Sequence, residues 1–166
     1  MRHALWPDAT LAEHALEMEA WLQRDDALVV VCALPAGGLG GFAEAGLRPH
    51  ADGCTTSPVA FLEGWFVDPD LRGRGYGRAL VAAVEAWACQ RGLMELASDA
   101  LLANPSAQAA HERLGFVEVE RAVRYRKLLA AQPARDVTSG LFVAVAQSMR
   151  PQLKFPSCNT CGATQI

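Results

Sequence analysis

The chain has 166 residues, 51% hydrophobic and 20% charged, which sets aside a disordered or fibrous protein and fits one globular domain with its own core. Its formal net charge of -3 argues against a general nucleic-acid binder and suits a cationic ligand. No apolar run approaches the ~20 residues that cross a bilayer, and the start, MRHALWPDA, has no apolar core of signal-peptide length, so the expected location is the cytoplasm, with no membrane partner.

Residues 11–22, LAEHALEMEAWL, place Leu11, Ala15, Met18 and Leu22 on one helical stripe. ALVVVCAL (27–34) is short and β-branched and reads as a buried strand. Gly37 and Gly38 supply a turn, and GGFAEAGLR (40–48) is the return strand of a hairpin, followed by a polar loop over 49–57. PVAFLEGWFV (58–67) is apolar on both faces, as a central strand should be, and Asp68 and Pro69 end it.

A helix is expected from Gly75 to Arg91, with Leu80, Val84 and Trp87 on its buried face and Gly92 as its C-terminal cap. LMELAS (93–98) reads as the next strand. Asn104 and Pro105 open a second helix, as an N-cap followed by proline at the first position, and Gly115 ends it. FVEVER (116–121) and VRYRKLL (123–129) read as two short strands. The order is a mixed α/β (α+β) pattern around one strand–glycine loop–helix unit. From about Ala130 the texture becomes that of a linker and an irregular tail, so residues 1–129 form the expected domain and 130–166 an appendage of unknown role.

Of the five cysteines, Cys32, Cys54 and Cys89 stand alone and read as free thiols. Cys158 and Cys161 make one CxxC in the polar tail, without the second pair a zinc site needs. His3, His14 and His50 have no metal-ligand spacing, so no metal is expected.

The most informative stretch is VDPDLRGRGYGRAL (67–80). Glycines at 73, 75 and 77 permit positive φ and let a ligand reach the main chain. Consecutive N–H groups can then form a nest at the start of a helix, whose dipole and unpaired donors also attract anions. With Arg72, Arg74 and Arg78 adding charge, the natural guest is a pyrophosphate; the plain alternative is a glycine-rich turn with solvated arginines. A Walker loop is excluded because no Lys follows, and the dinucleotide fingerprint fails on spacing.

Arg72-x-x-Gly75-x-Gly77 resembles the R/Q-x-x-G-x-G/A loop of the GCN5-related N-acetyltransferase superfamily, which holds the pyrophosphate of acetyl-coenzyme A. NPSAQAAHERLGF (104–116) is similar to that superfamily's N-x-x-A-x-x-x-[YH]-x-x-x-G-F helix, in the right order. LWPDA (5–9), SPVAFLEGWFVDP (57–69), ELASDA (95–100) and GFVEVERAVRYRK (115–127) resemble the chromosomal branch of the type I aminoglycoside 6'-N-acetyltransferases. The resemblance covers residues 3 to 128. It implies the superfamily's fold, a mostly antiparallel mixed sheet flanked by helices. It also implies transfer of acetyl from acetyl-CoA to the 6'-amino group of an aminoglycoside, in a homodimer. Only MRHA precedes the Leu-Trp-Pro, so the family's first strand is expected to be lacking. The loop RPHADGCTT (48–56) has no Tyr where the family uses an aromatic residue.

By the same resemblance, backbone atoms of Trp65, Phe66 and Val67 hold the pantetheine, and the Val67 N–H polarises the thioester carbonyl. Arg72, Gly73, Arg74, Gly75, Tyr76 and Gly77 take the pyrophosphate, and Asn104 contacts the pantetheine arm. Glu63 binds the acceptor and relays the amine's proton through water; its plain alternative is a salt bridge to a core Arg, because a lone buried carboxylate is costly. Asp99, Glu120 and Trp6 contact the acceptor; the plain alternatives are a turn cap for Asp99 and a core residue for Trp6. Glu118 and Glu120 alternate on one strand face. Tyr125 and His111 compete as proton donor to the departing thiolate. Two other readings remain open: an acetyltransferase for another amine, such as a polyamine or a protein N-terminus, and a non-catalytic acyl-CoA-binding relic.

Overall fold

Residues 1–128 are described by the computed structural model. Its helices and strands lie in the first of two units into which the chain divides, Met1–Arg124; of the second, Tyr125–Ile166, residues 125–128 are described. The expected boundary at 129/130 and the CxxC lie outside the described residues.

The β-branched run at 29–31 favours extended chain, and Gly37 and Gly38, at φ +90° and +84°, turn it back. Strands β1 (Ala27–Ala33) and β2 (Leu39–Arg48) therefore pair antiparallel. Strand β3 (Val59–Val67) pairs antiparallel with β2 and, over Ala60–Leu62, parallel with β4 (Leu96–Ser98). The order β1-β2-β3-β4 puts β3 inside the sheet, as its two apolar faces require.

Helix α3 (Tyr76–Gln90) covers one face. Its Leu80, Val81, Val84, Trp87 and Ala88 pack with Ala43, Ala45, Ala60, Leu62 and Val67 in one core. The small side chains of β2 let the helix come close. Burying each Leu or Val contributes about 1.5–3 kcal/mol. Gly92, at φ +72°, follows the end of the helix, as expected.

The opposite face carries α1 (Arg2–Leu5) and α2 (Leu11–Leu22). Thr10 and Glu13 close a capping box: Glu13 N–H donates to Thr10 Oγ1 at 3.3 Å, and Thr10 N–H donates to Glu13 at 2.7 Å. The expected stripe is not the packing face. Leu11, Ala15 and Leu22 are exposed and only Met18 of the four is half-buried, turned toward the protein together with His14 and Trp21. Two aromatic anchors override the aliphatic pattern. His14 bonds the Trp6 carbonyl at 3.0 Å, and the Trp21 ring lies over Gly46, 3.3 Å from where a Cβ would stand.

Helix α4 (Pro105–Arg113) begins at Asn104 as expected. Three strand expectations need correction. The fourth strand starts at Leu96 rather than Leu93, and no strand forms over residues 116–128. Alternation yields a strand only beside a free ladder, and β4 offers three residues of edge. Val117, Val119 and Val123 stay exposed, and Arg121 turns back to grip Glu118 at 2.6 and 2.9 Å.

The 49–57 loop is held from β4's side by Glu95, which accepts from the N–H of Thr55 at 3.0 Å and of Thr56 at 2.7 Å. The Thr56 hydroxyl and these N–H groups hold the carboxyl below its ordinary pKa. A lowered folded pKa means stability present above the ordinary carboxylate range and lost as pH falls through the lowered value. Glu95→Gln is expected to lower Tm by a few degrees at neutral pH, with the gap closing in acid. A gap unchanged in strong acid would contradict this role.

Candidate functional site

Strand β3 ends at Val67, and a 3-10 turn (Pro69–Leu71) leads into the glycine–arginine loop. Arg72 Nε donates to the Val67 carbonyl at 3.0 Å, tying the loop to the strand end. Gly73 and Gly75 take φ +74° and +89°, with open space on their Cβ side. Gly77 is glycine for another reason: a Cβ there would stand 2.7 Å from Trp65 Cζ2. The indole therefore lies against the first turn of α3, and its buried Nε1–H has no acceptor among the described residues.

A cleft of about 350 Å³ opens here, lined by Trp65, the three glycines, Arg78 and, from α4, Arg113. It combines unpaired helix N-terminal donors, an orphan indole N–H and two guanidiniums, a setting that fits an anion of pyrophosphate type. Arg113 was not legible in the sequence, since only the approach of α4 brings it across from Arg78. Arg74 is exposed and does not line this cleft.

Asn104 caps α4 through its side-chain oxygen, which accepts from Ala107 N–H at 3.1 Å. On the same helix, His111 stacks edge-on to Trp65, with ring centroids 5.6 Å apart. Its Nδ1–H donates to the Ala107 carbonyl at 2.8 Å, and its Nε2 lies 3.0 Å from Ser98 Oγ. Ser98 Oγ is also 3.1 Å from the Leu62 carbonyl. A carbonyl only accepts, and Ser98 has one proton. With neutral His111, that proton serves Nε2, and the ring has no proton on Nε2 to give.

On the other face of the sheet the register slips. Glu44 faces Gly64 and Ala45 faces Leu62, leaving Glu63 as the extra residue of a bulge. The bulge keeps Leu62 and Val67 in the α3 core while Gly64 takes Trp6 against it. A cleft of about 500 Å³ forms between sheet and helices, lined by Trp6, Trp21, Glu17, Glu44, Glu63, Arg2 and Arg24.

Glu63 is half-buried and receives Arg48 Nε at 2.9 Å and Nη2 at 2.5 Å. Its partner is thus a half-exposed arginine stacked on Phe61, 3.4 Å from the ring centroid, rather than a core one. Asp99 is exposed and bonded by Arg124 at 2.8 Å. Glu120 is exposed, and with no strand over 116–128 its expected alternation with Glu118 does not form. Trp6 packs on Phe42, and Phe42 on Phe66, each pair 6.2 Å apart. Val67 is core, and Tyr76 sits in the first turn of α3. Tyr125 belongs to the second unit and is exposed. Among the described residues no group of three His, Cys, Asp or Glu is placed to hold a metal, and no helix is long and apolar enough to cross a membrane.

Glu44 is the buried acid that sequence reasoning missed, at 2% exposure. Burial pushes its pKa up, against the pull of Arg2. The signal was available, since Glu44 is the one charge inside GGFAEAGLR before its terminal Arg.

The profile of the acetyltransferase (GNAT) family matches residues 1–116. An aminoglycoside N(6')-acetyltransferase type 1 of Klebsiella aerogenes is 45% identical over 132 residues, covering 78% of this chain and 87% of the relative. One from Stenotrophomonas maltophilia is 44% identical over 127 residues, covering 76% and 82%. Among solved structures, AAC(6')-Iy in complex with the bisubstrate analog CoA-S-monomethyl-acetylneamine aligns at TM-score 0.73 and 40% identity, over 78% of this chain and 88% of that one. The aminoglycoside 6'-N-acetyltransferase AAC(6')-Ih of Acinetobacter baumannii aligns at 0.73 and 39%, with the same coverage.

The two kinds of glycine in the loop should respond differently to a methyl group. Gly75→Ala forces a residue with Cβ into φ +89° and is expected to cost about 1–3 kcal/mol in chemical denaturation. Gly77→Ala is expected to displace Trp65 and shift its fluorescence. A Gly75→Ala variant as stable as wild type would contradict the loop geometry.

Proposed function

The chain belongs to the acetyltransferase (GNAT) family, and from that premise we propose that it transfers acetyl from acetyl-CoA to the 6'-amino group of an aminoglycoside, giving antibiotic resistance. The observation that carries this reading is Glu63, set by the bulge in an acid-lined aromatic cleft two residues from the Trp65 that walls the anion cleft. An acetyl donor with a pyrophosphate and a polycationic acceptor need one cleft for an anion and one for a cation, and strand β3 lines both of these with Trp65 and Glu63.

Acetyl-CoA supplies an activated thioester when bound. Arg72, Gly73, Arg74, Gly75, Tyr76 and Gly77 hold its pyrophosphate at the start of α3, with Arg78 and Arg113 adding positive field. Backbone atoms of Trp65, Phe66 and Val67 hold the pantetheine with Asn104, and the Val67 N–H polarises the carbonyl. Trp6, Asp99 and Glu120 orient the aminoglycoside. Glu63 takes the ammonium's proton through water once that ammonium displaces Arg48. The N–C bond forms as the C–S bond breaks, and Tyr125 returns a proton to sulfur in this reading. His111, bonded to Ser98, is the alternative donor only in its doubly protonated form. No metal and no nucleic acid enters.

The reading includes a homodimer. It is supported by the outer edges of β1 and β4, which pair with no strand among the described residues, and by the exposed Val117, Val119 and Val123. Acetyl-CoA use fits a cytoplasmic location.

The test is thiol release from acetyl-CoA with kanamycin, tobramycin or spermidine as acceptor. Both aminoglycosides are expected to turn over and spermidine not. Glu63→Gln is expected to lower kcat by about 10²–10⁴-fold with acetyl-CoA KM unchanged. Arg72→Ala is expected to raise acetyl-CoA KM about tenfold, the loss of one charge-assisted contact. Turnover of spermidine alone would overturn the acceptor assignment.

A further inference from the structure

Helix α1 has four residues and cannot hold itself in place, since a single turn costs more in chain entropy than its hydrogen bonds return. Something must fix Trp6, which follows it directly. Three contacts do. His14 bonds the Trp6 carbonyl at 3.0 Å. Gly64 leaves its Cβ space to the indole edge. Arg2 lies over the indole face, with its guanidinium carbon 4.8 Å from the ring centroid.

That guanidinium is itself locked. Its Nη1 bonds the buried Glu44, and its Nη2 bonds Glu17 at 2.8 Å. Glu44 leaves 2% of its surface to solvent and has no other partner among the described residues. A buried carboxylate cannot spare its counter-ion, so Arg2 stays where Glu44 holds it. Arg24 offers a contrast within the same cleft. It stacks on Trp21 at 4.2 Å, but it is half-exposed and pairs with exposed Asp26, so no buried charge depends on it.

We propose that Arg2 is a positioning residue for the acceptor: clamped between Glu44 and Glu17, it holds the Trp6 indole over Gly64 as one wall of the acceptor cleft. The inference rests on the reading of that cleft as the aminoglycoside site, and its test has one arm that needs no turnover.

The kinetic arm compares Arg2→Met, Arg2→Lys, Arg91→Met and the double variant Arg2→Met/Glu44→Met. Arg2→Met is expected to raise aminoglycoside KM about tenfold, one charge-assisted contact's worth, with acetyl-CoA KM unchanged. Arg2→Lys is expected to recover part of it, and Arg91→Met, an exposed arginine stacked on Trp87 outside both clefts, to change it less than about twofold. The double variant removes the stranded acid and so guards against simple misfolding. It is expected to fold like wild type yet keep the raised KM. Acceptor KM restored to wild type in the double variant would overturn the proposal, because Arg2 would then only neutralise Glu44. The second arm takes acrylamide quenching of Trp6 as the difference between each protein and the same protein carrying Trp6→Phe. Arg2→Met is expected to raise that quenching several-fold. Unchanged quenching overturns the proposal, whereas a wild type inactive on every aminoglycoside with quenching raised in Arg2→Met overturns the acceptor reading alone.

Discussion

One inserted residue in β3 governs the layout of this protein. Without the bulge at Glu63, strict alternation would put Trp65 and Val67 on the face opposite to Leu62 and Ala60 or would drive a carboxylate into the α3 core. With it, the core face runs unbroken under α3, and Glu63 and Gly64 both serve the face under α1 and α2. The same strand then carries an aromatic wall for the cleft at the glycine–arginine loop and an acid for the cleft under α1 and α2, a few residues apart. Glycine completes the arrangement where backbone must yield to indole: Gly64 to Trp6, Gly46 to Trp21, Gly77 to Trp65.

Charge is arranged around that frame by pairing. Glu63 holds Arg48, Asp99 holds Arg124, and Glu44 and Glu17 share Arg2. In the proposed reaction a cationic acceptor enters by exchange, ammonium for guanidinium, rather than by meeting bare carboxylates. Exchange is cheap at Asp99, where both partners are exposed and the pair is worth little. It is dearest at Glu44, where removing the partner strands a buried charge. This gradient separates acids that trade partners from an acid that serves as an anchor. The cost of keeping Glu44 inside is visible in its raised pKa, and the return is a fixed position for a four-residue helix and its tryptophan.

Local signals carried most of the fold. The Gly37–Gly38 turn, the two-faced apolar run at 58–67, Gly92 and the Asn104–Pro105 pair each specify a backbone conformation through their own chemistry, and each element forms where those residues put it. The failures are non-local. The 116–128 segment alternates like a strand, but a strand needs an edge to pair with, and no property of the segment reveals that β4 is three residues long. Likewise α2 turns His14 and Trp21 inward because Gly46 and the Trp6 carbonyl wait there, which an aliphatic stripe cannot announce. In the candidate site, the glycine–arginine loop at the start of α3 was legible from its glycines, and Glu63 stood out as a carboxylate in an apolar strand. Arg2, Arg48 and Arg113 were not, because an arginine in sequence looks solvated until its carboxylate or its cleft is known.

The central claim is that Glu63 and its cleft present one amine of an aminoglycoside to the thioester, namely the one at position 6'. Neomycin and paromomycin differ at that position, an amine in the first and a hydroxyl in the second, and keep their other amines. Steady-state thiol release from acetyl-CoA with the two compounds compares them directly. The account requires turnover of neomycin, with a single acetyl group on the product, and no turnover of paromomycin. Equal turnover of both would contradict it.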